Sequence, residues 1–178
     1  MAAKVESFLP RLHGLLVGPG LGRDPSVLSG VEAVLRACRT RGLPVVIDAD
    51  GLFLVARNPD VVRGYTQVIM TPNIMEYKNI WAAVFGSNEP LGSPDRLAAA
   101  LEGVTILLKG NQDLASNGAI SGQPPLACVE QGGMRRSGGI GDVLSGVTVV
   151  MSVWAHRWQQ AQQQQTCSSP VLLGADGE

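Results

Sequence analysis

Short, continuous apolar runs alternate along the chain with longer stretches whose apolar residues recur at every third or fourth position. The short runs are typical of strands buried on both faces, and the longer stretches are typical of amphipathic helices. This alternation predicts an α/β fold with a mostly parallel sheet, right-handed crossovers and helices on both faces. The strands are expected at Leu15–Val17, Val45–Ile47, Val68–Met70 and Thr105–Leu108.

Helix starts are marked by a capping side chain that is followed by proline, which suits the first helical position because it needs no amide hydrogen there. Three dipeptides fit this pattern: Asp24-Pro25, Thr71-Pro72 and Ser93-Pro94. The helices are expected to run from Pro25 towards a stop at Gly42, and over residues 52–57, 74–85 and 94–101.

Beyond Lys109 the alternation ends. Shorter strands are expected at Leu114–Ser116 and residues 126–129, around turns at Asn117-Gly118 and residues 122–125. A glycine-rich stretch then leads into the apolar residues 143–154, which predict a helix. Asp142 should lie in the first turn of that helix.

Five polar or glycine-rich loops follow the predicted strands or precede the last helix, at residues 18–22, 48–51, 71–76, 109–110 and 138–142. In parallel sheets, ligands bind beyond the carboxyl ends of the strands. The unpaired amides of a helix start attract phosphate, and glycines let the backbone approach it closely. A carboxylate there would repel phosphate, so Asp142 is a candidate general base beside a phosphate site. The alternative interpretation is a glycine-rich turn with a capping aspartate.

Composition restricts the class of protein. The chain has 178 residues, 45% of them hydrophobic and 16% charged, with a net charge of -1. These values indicate a soluble globular domain and give no reason to expect a nucleic acid or membrane partner. The N-terminus has no signal-peptide pattern, so a cytoplasmic location is expected. The three cysteines show neither paired spacing nor nearby histidines, which argues against a disulfide framework or a zinc site.

The C-terminal part has a different character. Residues 159–165 are almost all glutamine, and residues 166–178 show no convincing amphipathic pattern. We therefore expect one partial domain over residues 1–158 and a frayed helix end with a disordered tail over residues 159–178.

Taken in order, these motifs resemble the ATP-dependent (S)-NAD(P)H-hydrate dehydratase family of the ribokinase-like superfamily, in its animal form. The resemblance rests on residues 17–24, 46–52 and 71–73, on Lys109-Gly110 with Asp113, and on Arg135-Arg136 leading into residues 138–142. It implies a ribokinase-like fold. The family's domain starts before Leu9 and continues after the Asp142 helix, so a domain truncated at both ends is expected.

The resemblance implies that ATP is used to dehydrate the 6-hydroxy adduct of NADH or NADPH, with release of ADP and phosphate. Hydroxide is a poor leaving group, so the hydroxyl would first be phosphorylated after Asp142 removes its proton. ATP and Mg²⁺ are the implied cofactors, and no side chain is assigned to the metal. The implied partner is a small molecule, hydrated NADH or NADPH. A homo-oligomer and mitochondrial forms are left open.

The resemblance also implies two sets of binding residues. Those matching ATP contacts are Lys109, Gly110, Asn111, Gln112, Asp113, Gly132, Gly133, Met134, Arg135, Arg136, Ser137, Gly138, Gly139, Ile140 and Gly141. Those matching contacts to the hydrated dinucleotide are Gly20, Gly22, Asn73, Ile74, Met75, Glu76, Tyr77, Lys78, Asn79 and Asp142.

Several alternatives stand beside this hypothesis. Ile74 occupies a position where the family usually has a histidine that helps to recognise the substrate, and isoleucine cannot form that hydrogen bond. The motif at residues 138–142 alone is also compatible with another ribokinase-like small-molecule kinase. A truncated isoform that only binds nucleotide is a third alternative. Asp48 and Asp50 belong to a candidate site loop, but both also suit a role as caps of the short helix at residues 52–57, and for Asp50 the cap is favoured over catalysis.

Overall fold

The sheet contains four parallel strands followed by two antiparallel ones. The computed structural model describes residues 2–118, 124–133 and 137–167. Within them, the strands lie side by side in chain order, and their order in the sheet is β1-β2-β3-β4-β5-β6. They are β1 (Leu15–Val17), β2 (Val45–Ile47), β3 (Val68–Met70), β4 (Thr105–Leu108), β5 (Leu114–Ser116) and β6 (Leu126–Ala127). The predicted mostly parallel sheet is confirmed.

Strand register brings the carboxyl ends of the parallel strands to one edge. Val46 lies opposite Leu16 of β1 and opposite Ile69 of β3, and Ile69 in turn lies opposite Thr105 of β4. Every residue of β2 is buried, as expected for a central strand covered on both faces. Each strand end is therefore followed by a loop at the same edge of the sheet.

Six α-helices surround this sheet in the described residues. They are α1 (Ala2–Glu6), α2 (Pro25–Thr40), α3 (Asp50–Arg57), α4 (Ile74–Phe85), α5 (Pro94–Ala100) and α6 (Ile140–Cys167). Asp24 caps α2 by accepting the Ser26 amide at 2.8 Å, as its position predicts. The core includes Leu35 of α2, Leu52 of α3, and Tyr77, Ile80 and Trp81 of α4.

The capping residue of α4 differs from the prediction. Thr71 is not its cap, because the Thr71 amide donates to Ile47 O at 3.1 Å and the residue stays in the buried, extended chain after β3. The cap is Asn73, whose side chain accepts the amides of Met75 and Glu76 while Glu76 accepts the Asn73 amide. The helix therefore spans Ile74–Phe85, as predicted, and only its cap differs from the expected Thr71.

Some boundaries shift. The helix expected from residue 52 begins at Asp50, and the strand expected at residues 126–129 pairs with β5 only through Leu126–Ala127. The helix expected over residues 143–154 runs from Ile140 through the glutamine tract to Cys167. Residues 168–178 lie outside the described part, so the boundary after residue 158 stays a prediction. Among the described residues, no helix combines the length and apolar character needed to cross a bilayer.

Candidate functional site

Four loops converge where the parallel strands end. Gly18, Asp48, Thr71 and Lys109 are the residues that directly follow β1, β2, β3 and β4. The β3–β4 pairing extends one step further through a parallel bridge between Asn73 and Lys109, with the Lys109 amide donating to Pro72 O at 2.8 Å. The polar residues after the strands thus form one row along the sheet edge, which is where parallel sheets bind ligands.

An ion pair spans this row. Lys109 Nζ lies 2.8 Å from Asp48 Oδ1, so the lysine side chain reaches past the end of β3 to the end of β2. The Asp48 side chain is 3% exposed and that of Lys109 is 21% exposed. Such a buried carboxylate needs a partner, because an unpaired buried charge is strongly unfavourable. Lys109 is therefore not simply a solvated surface charge.

The start of α6 lies directly over this pair. Gly141 is so close that a Cβ built on it would lie 3.7 Å from Lys109 Nζ and 3.8 Å from Asp48 Oδ2. Asp142 follows in the first turn of the helix, as predicted, and is exposed. The first amides of a helix have no partner within the helix and carry the positive end of its dipole. This edge therefore combines the amides of a helix start, an ammonium group and an exposed carboxylate.

A cleft of about 700 Å³ opens beside the start of α6. Its lining combines apolar and polar side chains, so the cleft can accept both an organic group and an anion. The apolar side chains are Ile74, Leu108, Ile140 and Leu144, and the remaining lining residues are Asn73, Lys109, Gly110, Asn111, Gln112, Asp113, Ser137 and Gly141.

The loop after β4 is held in shape by Asp113. Its carboxylate accepts the Gly110 amide at 2.9 Å, which closes a tight turn over residues 110–113. The same loop lines a second hollow of about 610 Å³ together with residues 128–133, including Gly132 and Gly133. Two of the predicted nucleotide segments thus face each other. Met134, Arg135 and Arg136 lie outside the described residues, and Gly138 and Gly139 form the exposed turn that enters α6.

The predicted substrate segment at residues 73–79 is divided between the cleft and the core. Asn73 and Ile74 line the cleft, and Ile74 is 46% exposed. Met75, Lys78 and Asn79 are exposed on α4, and Glu76 completes the capping box. Tyr77 is fully buried and donates its hydroxyl to Gly92 O at 2.9 Å. Its side chain therefore belongs to the core and does not face the cleft.

The glycines after β1 lie further along the same edge. Gly20 and Gly22 both have positive φ, of 65° and 78°. The Gly22 amide donates to Asp50 Oδ2 at 3.0 Å, and Arg23 Nε donates to Asp50 Oδ1 at 2.9 Å. The hydrogen bond from Arg23 lowers the pKa of the Asp50 carboxyl, and the Gly22 amide contributes to this shift. Asp50 thus fastens the β1 loop to α3, and its interpretation as a helix cap is wrong.

The position of Asp48 makes it a functional candidate. Its neighbours in the sequence had favoured a different role, that of a helix cap. A signal was available, because Asp48 and Lys109 each occupy the first position after an apolar parallel strand. Equivalent positions on parallel strands lie at one edge, and opposite charges there can pair across an intervening strand. The interpretation as a cap considered only neighbours along the chain and so missed a partner 61 residues away.

Ala49 adopts a strained backbone between the two aspartates. Its φ of 46° and ψ of -120° correspond to the first central position of a type II′ turn, closed by the Gly51 amide donating to Asp48 O at 2.9 Å. Glycine is the usual residue there, because a Cβ makes this conformation costly. Strain of this kind is found preferentially at functional sites.

Ala49→Gly is therefore expected to stabilise the fold by about 1 kcal/mol and to raise Tm by about 2–4 °C, since relief of strain outweighs the greater freedom of glycine in the unfolded chain. Thermal unfolding followed by circular dichroism measures this change. Ala33→Gly, in the middle of α2, is the matched control and should lower Tm. A lower Tm for Ala49→Gly would show that the methyl group contributes more than the strain costs.

Comparisons with known proteins agree with this arrangement. The family model for NAD(P)H-hydrate dehydratase matches residues 1–177. The ATP-dependent (S)-NAD(P)H-hydrate dehydratases of Rattus norvegicus and Homo sapiens are 46% and 44% identical to the chain, over 98% of it and 50% of each relative. The chain thus spans about half the length of these relatives.

The fold has solved counterparts. A ribokinase-like superfamily protein from Enterococcus faecalis matches with a TM-score of 0.66 and 23% identity, over 83% of this chain and 49% of the other. A hypothetical protein from Streptococcus mutans matches with a TM-score of 0.63 and 20% identity, over 83% of this chain and 51% of the other. These likenesses confirm the predicted ribokinase-like fold.

Proposed function

Because the chain belongs to the NAD(P)H-hydrate dehydratase family, we propose that it uses ATP to dehydrate (S)-NAD(P)H hydrate and so regenerates NADH or NADPH. The observation that carries this proposal is the position of Asp142. Its carboxylate is exposed in the first turn of α6, beside a cleft that Gly141 and Lys109 line. The start of a helix attracts phosphate, and a carboxylate there would repel it. Such a carboxylate is expected where a proton must be removed beside the phosphate.

The chemistry follows from these groups in two steps. Asp142 takes the proton of the substrate hydroxyl as the oxygen attacks the γ-phosphorus of ATP, and ADP leaves. The C–O bond then breaks with release of phosphate, and loss of a proton from the neighbouring carbon restores the ring double bond. The amides of residues 138–141 would stabilise the charge that develops on the transferred phosphoryl group.

Ile74 bears on how the substrate would be held. It lines the cleft together with Ile140 and Leu144, so its contribution is van der Waals contact with the substrate ring. Asn73 beside it is used by the capping box of α4, which fixes the helix start at the edge of the cleft. We therefore assign ring packing to Ile74 and helix positioning to Asn73.

Mg²⁺ fits this site as a companion of the nucleotide. In the described residues, no three metal-binding side chains come together into a cluster that could hold a metal ion. Mg²⁺ at nucleotide sites is commonly bound by phosphate oxygens and one or two carboxylates, and it neutralises phosphate charge. Asp142 is the exposed carboxylate at the start of α6 that could contact an ion carried by ATP.

The test is recovery of NADH absorbance from NADH hydrate by the purified chain, with ATP and Mg²⁺, with Mg²⁺ alone and with neither. ATP-dependent recovery with stoichiometric release of ADP and phosphate supports the proposal. Accumulation of a phosphorylated hydrate would indicate a kinase. ATP binding by a folded chain without any recovery would indicate a nucleotide-binding truncated form.

The opposite face of α6 supports self-association, the oligomeric state that we propose for the chain. Helical spacing turns Asp142, Ser145 and Val149 towards the sheet side, away from a row of exposed apolar residues. These residues are 47% to 68% exposed and comprise Val143, Val147, Val150, Met151, Trp154 and Trp158. We call them the α6 stripe. Exposed apolar rows of this length usually mark contact surfaces.

The α6 stripe is symmetric about its centre, which favours an antiparallel pair of helices from two copies. In such a pair Val143 would face Trp158 of the partner subunit, and Val147 would face Trp154 of the partner subunit, so each small side chain meets a large one. Interfaces of this kind depend strongly on their tryptophans.

Trp154→Gln is accordingly expected to weaken dimerisation by at least about tenfold, because loss of a central tryptophan commonly costs about 2 kcal/mol or more. Sedimentation equilibrium over a concentration series measures the dissociation constant. Gln159→Ala, on the same helix but outside the α6 stripe, should leave it unchanged. A chain that sediments as a monomer at every concentration contradicts the proposal.

A further inference from the structure

The Asp48 carboxylate is fixed on several sides. Its Oδ1 accepts both Lys109 Nζ at 2.8 Å and the Ala49 amide at 2.9 Å. The Asp48 amide donates to Val17 O at 3.0 Å, and the Asp48 carbonyl accepts Gly51 N at 2.9 Å. This aspartate is therefore part of the rigid β1–β2 edge and can hold a mobile group in a defined place.

Lys109 is the group that it holds. A free lysine side chain has four rotatable bonds and would follow any anion in the cleft as a flexible point charge. Here one of its three ammonium hydrogens is directed to Asp48, and the ammonium nitrogen is fixed next to Gly141 at the start of α6. The pair is also neutral overall, so it adds little to the attraction of a nucleotide in its ground state.

We propose that Asp48 is a positioning residue that fixes the Lys109 ammonium against the first turn of α6, where it stabilises charge that develops during phosphoryl transfer. This inference rests on the proposed function. It explains why a carboxylate is buried beside a phosphate site, where by itself it would repel the ligand. An interaction aimed at developing charge accelerates the reaction without tightening substrate binding.

The positioning can be tested first without any ligand. In Asp48→Asn the lysine is released, and the Gly141 amide signal in a ¹⁵N-correlated NMR spectrum of the unliganded chain is expected to shift. Asp60→Asn removes a carboxylate that pairs with Arg63 on the exposed surface, and should leave the Gly141 signal in place. An unmoved Gly141 signal in Asp48→Asn would overturn the inference, whether or not the chain proves active.

The second readout separates binding from turnover. Asp48→Asn is expected to lower kcat by about 10- to 100-fold, because misplacement of about 1 Å can cost that much. ATP affinity should rise about threefold or more, because the freed ammonium is no longer neutralised. In a Lys109→Met background, Asp48→Asn should no longer lower kcat, because no ammonium group is left to position. Equal losses of kcat and ATP affinity would overturn the positioning role.

Asp48→Glu provides a variant that keeps the charge pair. The longer side chain moves the carboxylate by one methylene, so ATP affinity should stay within about twofold while kcat falls about tenfold. Unchanged kcat in Asp48→Glu would overturn the inference. The two proposals can fail separately. If the parent chain does not recover NADH, the proposed dehydration is contradicted. If the Gly141 amide signal nevertheless shifts in Asp48→Asn, the positioning of Lys109 is still supported.

Discussion

Asp142→Asn is expected to lower ATP-dependent recovery of NADH by about 10²- to 10⁴-fold, the usual contribution of a general base. The amide keeps the size of the carboxylate and the start of α6, but it cannot accept the hydroxyl proton. ATP affinity should remain within about threefold, since Asn removes a repulsive charge without removing any helix amide. Single-turnover assays with saturating ATP separate the loss of chemistry from any change in binding.

The matched control for Asp142→Asn is Asp95→Asn. Asp95 also lies in the first turn of a helix, α5, and interacts with the helix dipole in the same way, but no residue of α5 lines the cleft, whereas Asp142 directly follows Gly141 of its lining. Its substitution should leave recovery unchanged. If the two variants lose activity equally, Asp142 acts through helix stability and another group must take the proton.

Gly18→Ala is expected to destabilise the fold by more than about 4 kcal/mol, which corresponds to a decrease in Tm of about 10 °C or more. A Cβ at this position would lie 1.7 Å from the carbonyl oxygen of Asp48, and the φ of 128° is itself unfavourable for alanine. The clash involves backbone on both sides, so the ends of β1 and β2 would have to separate. Thermal and urea unfolding measure the change.

Gly20→Ala isolates the conformational part of this cost. Gly20 has a φ of 65°, and no atom lies within 4 Å of the position that a Cβ would take, so only the left-handed backbone penalises alanine. A loss of about 1 kcal/mol is expected. Similar losses for the two variants would mean that the β1 loop relaxes easily and that the close approach at Gly18 is not essential.

Much of the fold could be predicted because the information is local. Val45–Ile47 has no polar position, and this alone indicates a strand covered on both faces. Gly138 and Gly139 before an apolar stretch placed Asp142 correctly in the first turn of a helix. The cap at Thr71 was wrong because pairing with β2 keeps the chain extended to Pro72, and this competition is invisible in a dipeptide.

The parts that could not be predicted depend on distant contacts. The pairing of Asp48 with Lys109 requires the register of three strands, and the burial of Tyr77 requires the packing of α4 on the core. The extent of α6 reflects the helix propensity of glutamine, which the low-complexity composition concealed. Parts of the site formed by residues adjacent in the sequence were therefore easier to predict than parts formed by residues that are distant in the sequence and close in space.

The strand order has a consequence for how the protein is made. Each strand pairs with the one synthesised just before it, so the sheet can grow in the order in which the chain leaves the ribosome. Helix α6 behaves differently, because its Val149 and Val153 pack against Gly14, which precedes β1. The start of α6 therefore comes to lie over Asp48 and Lys109 only when this contact forms. A nascent chain would thus possess the six described strands before it possessed the proposed catalytic centre.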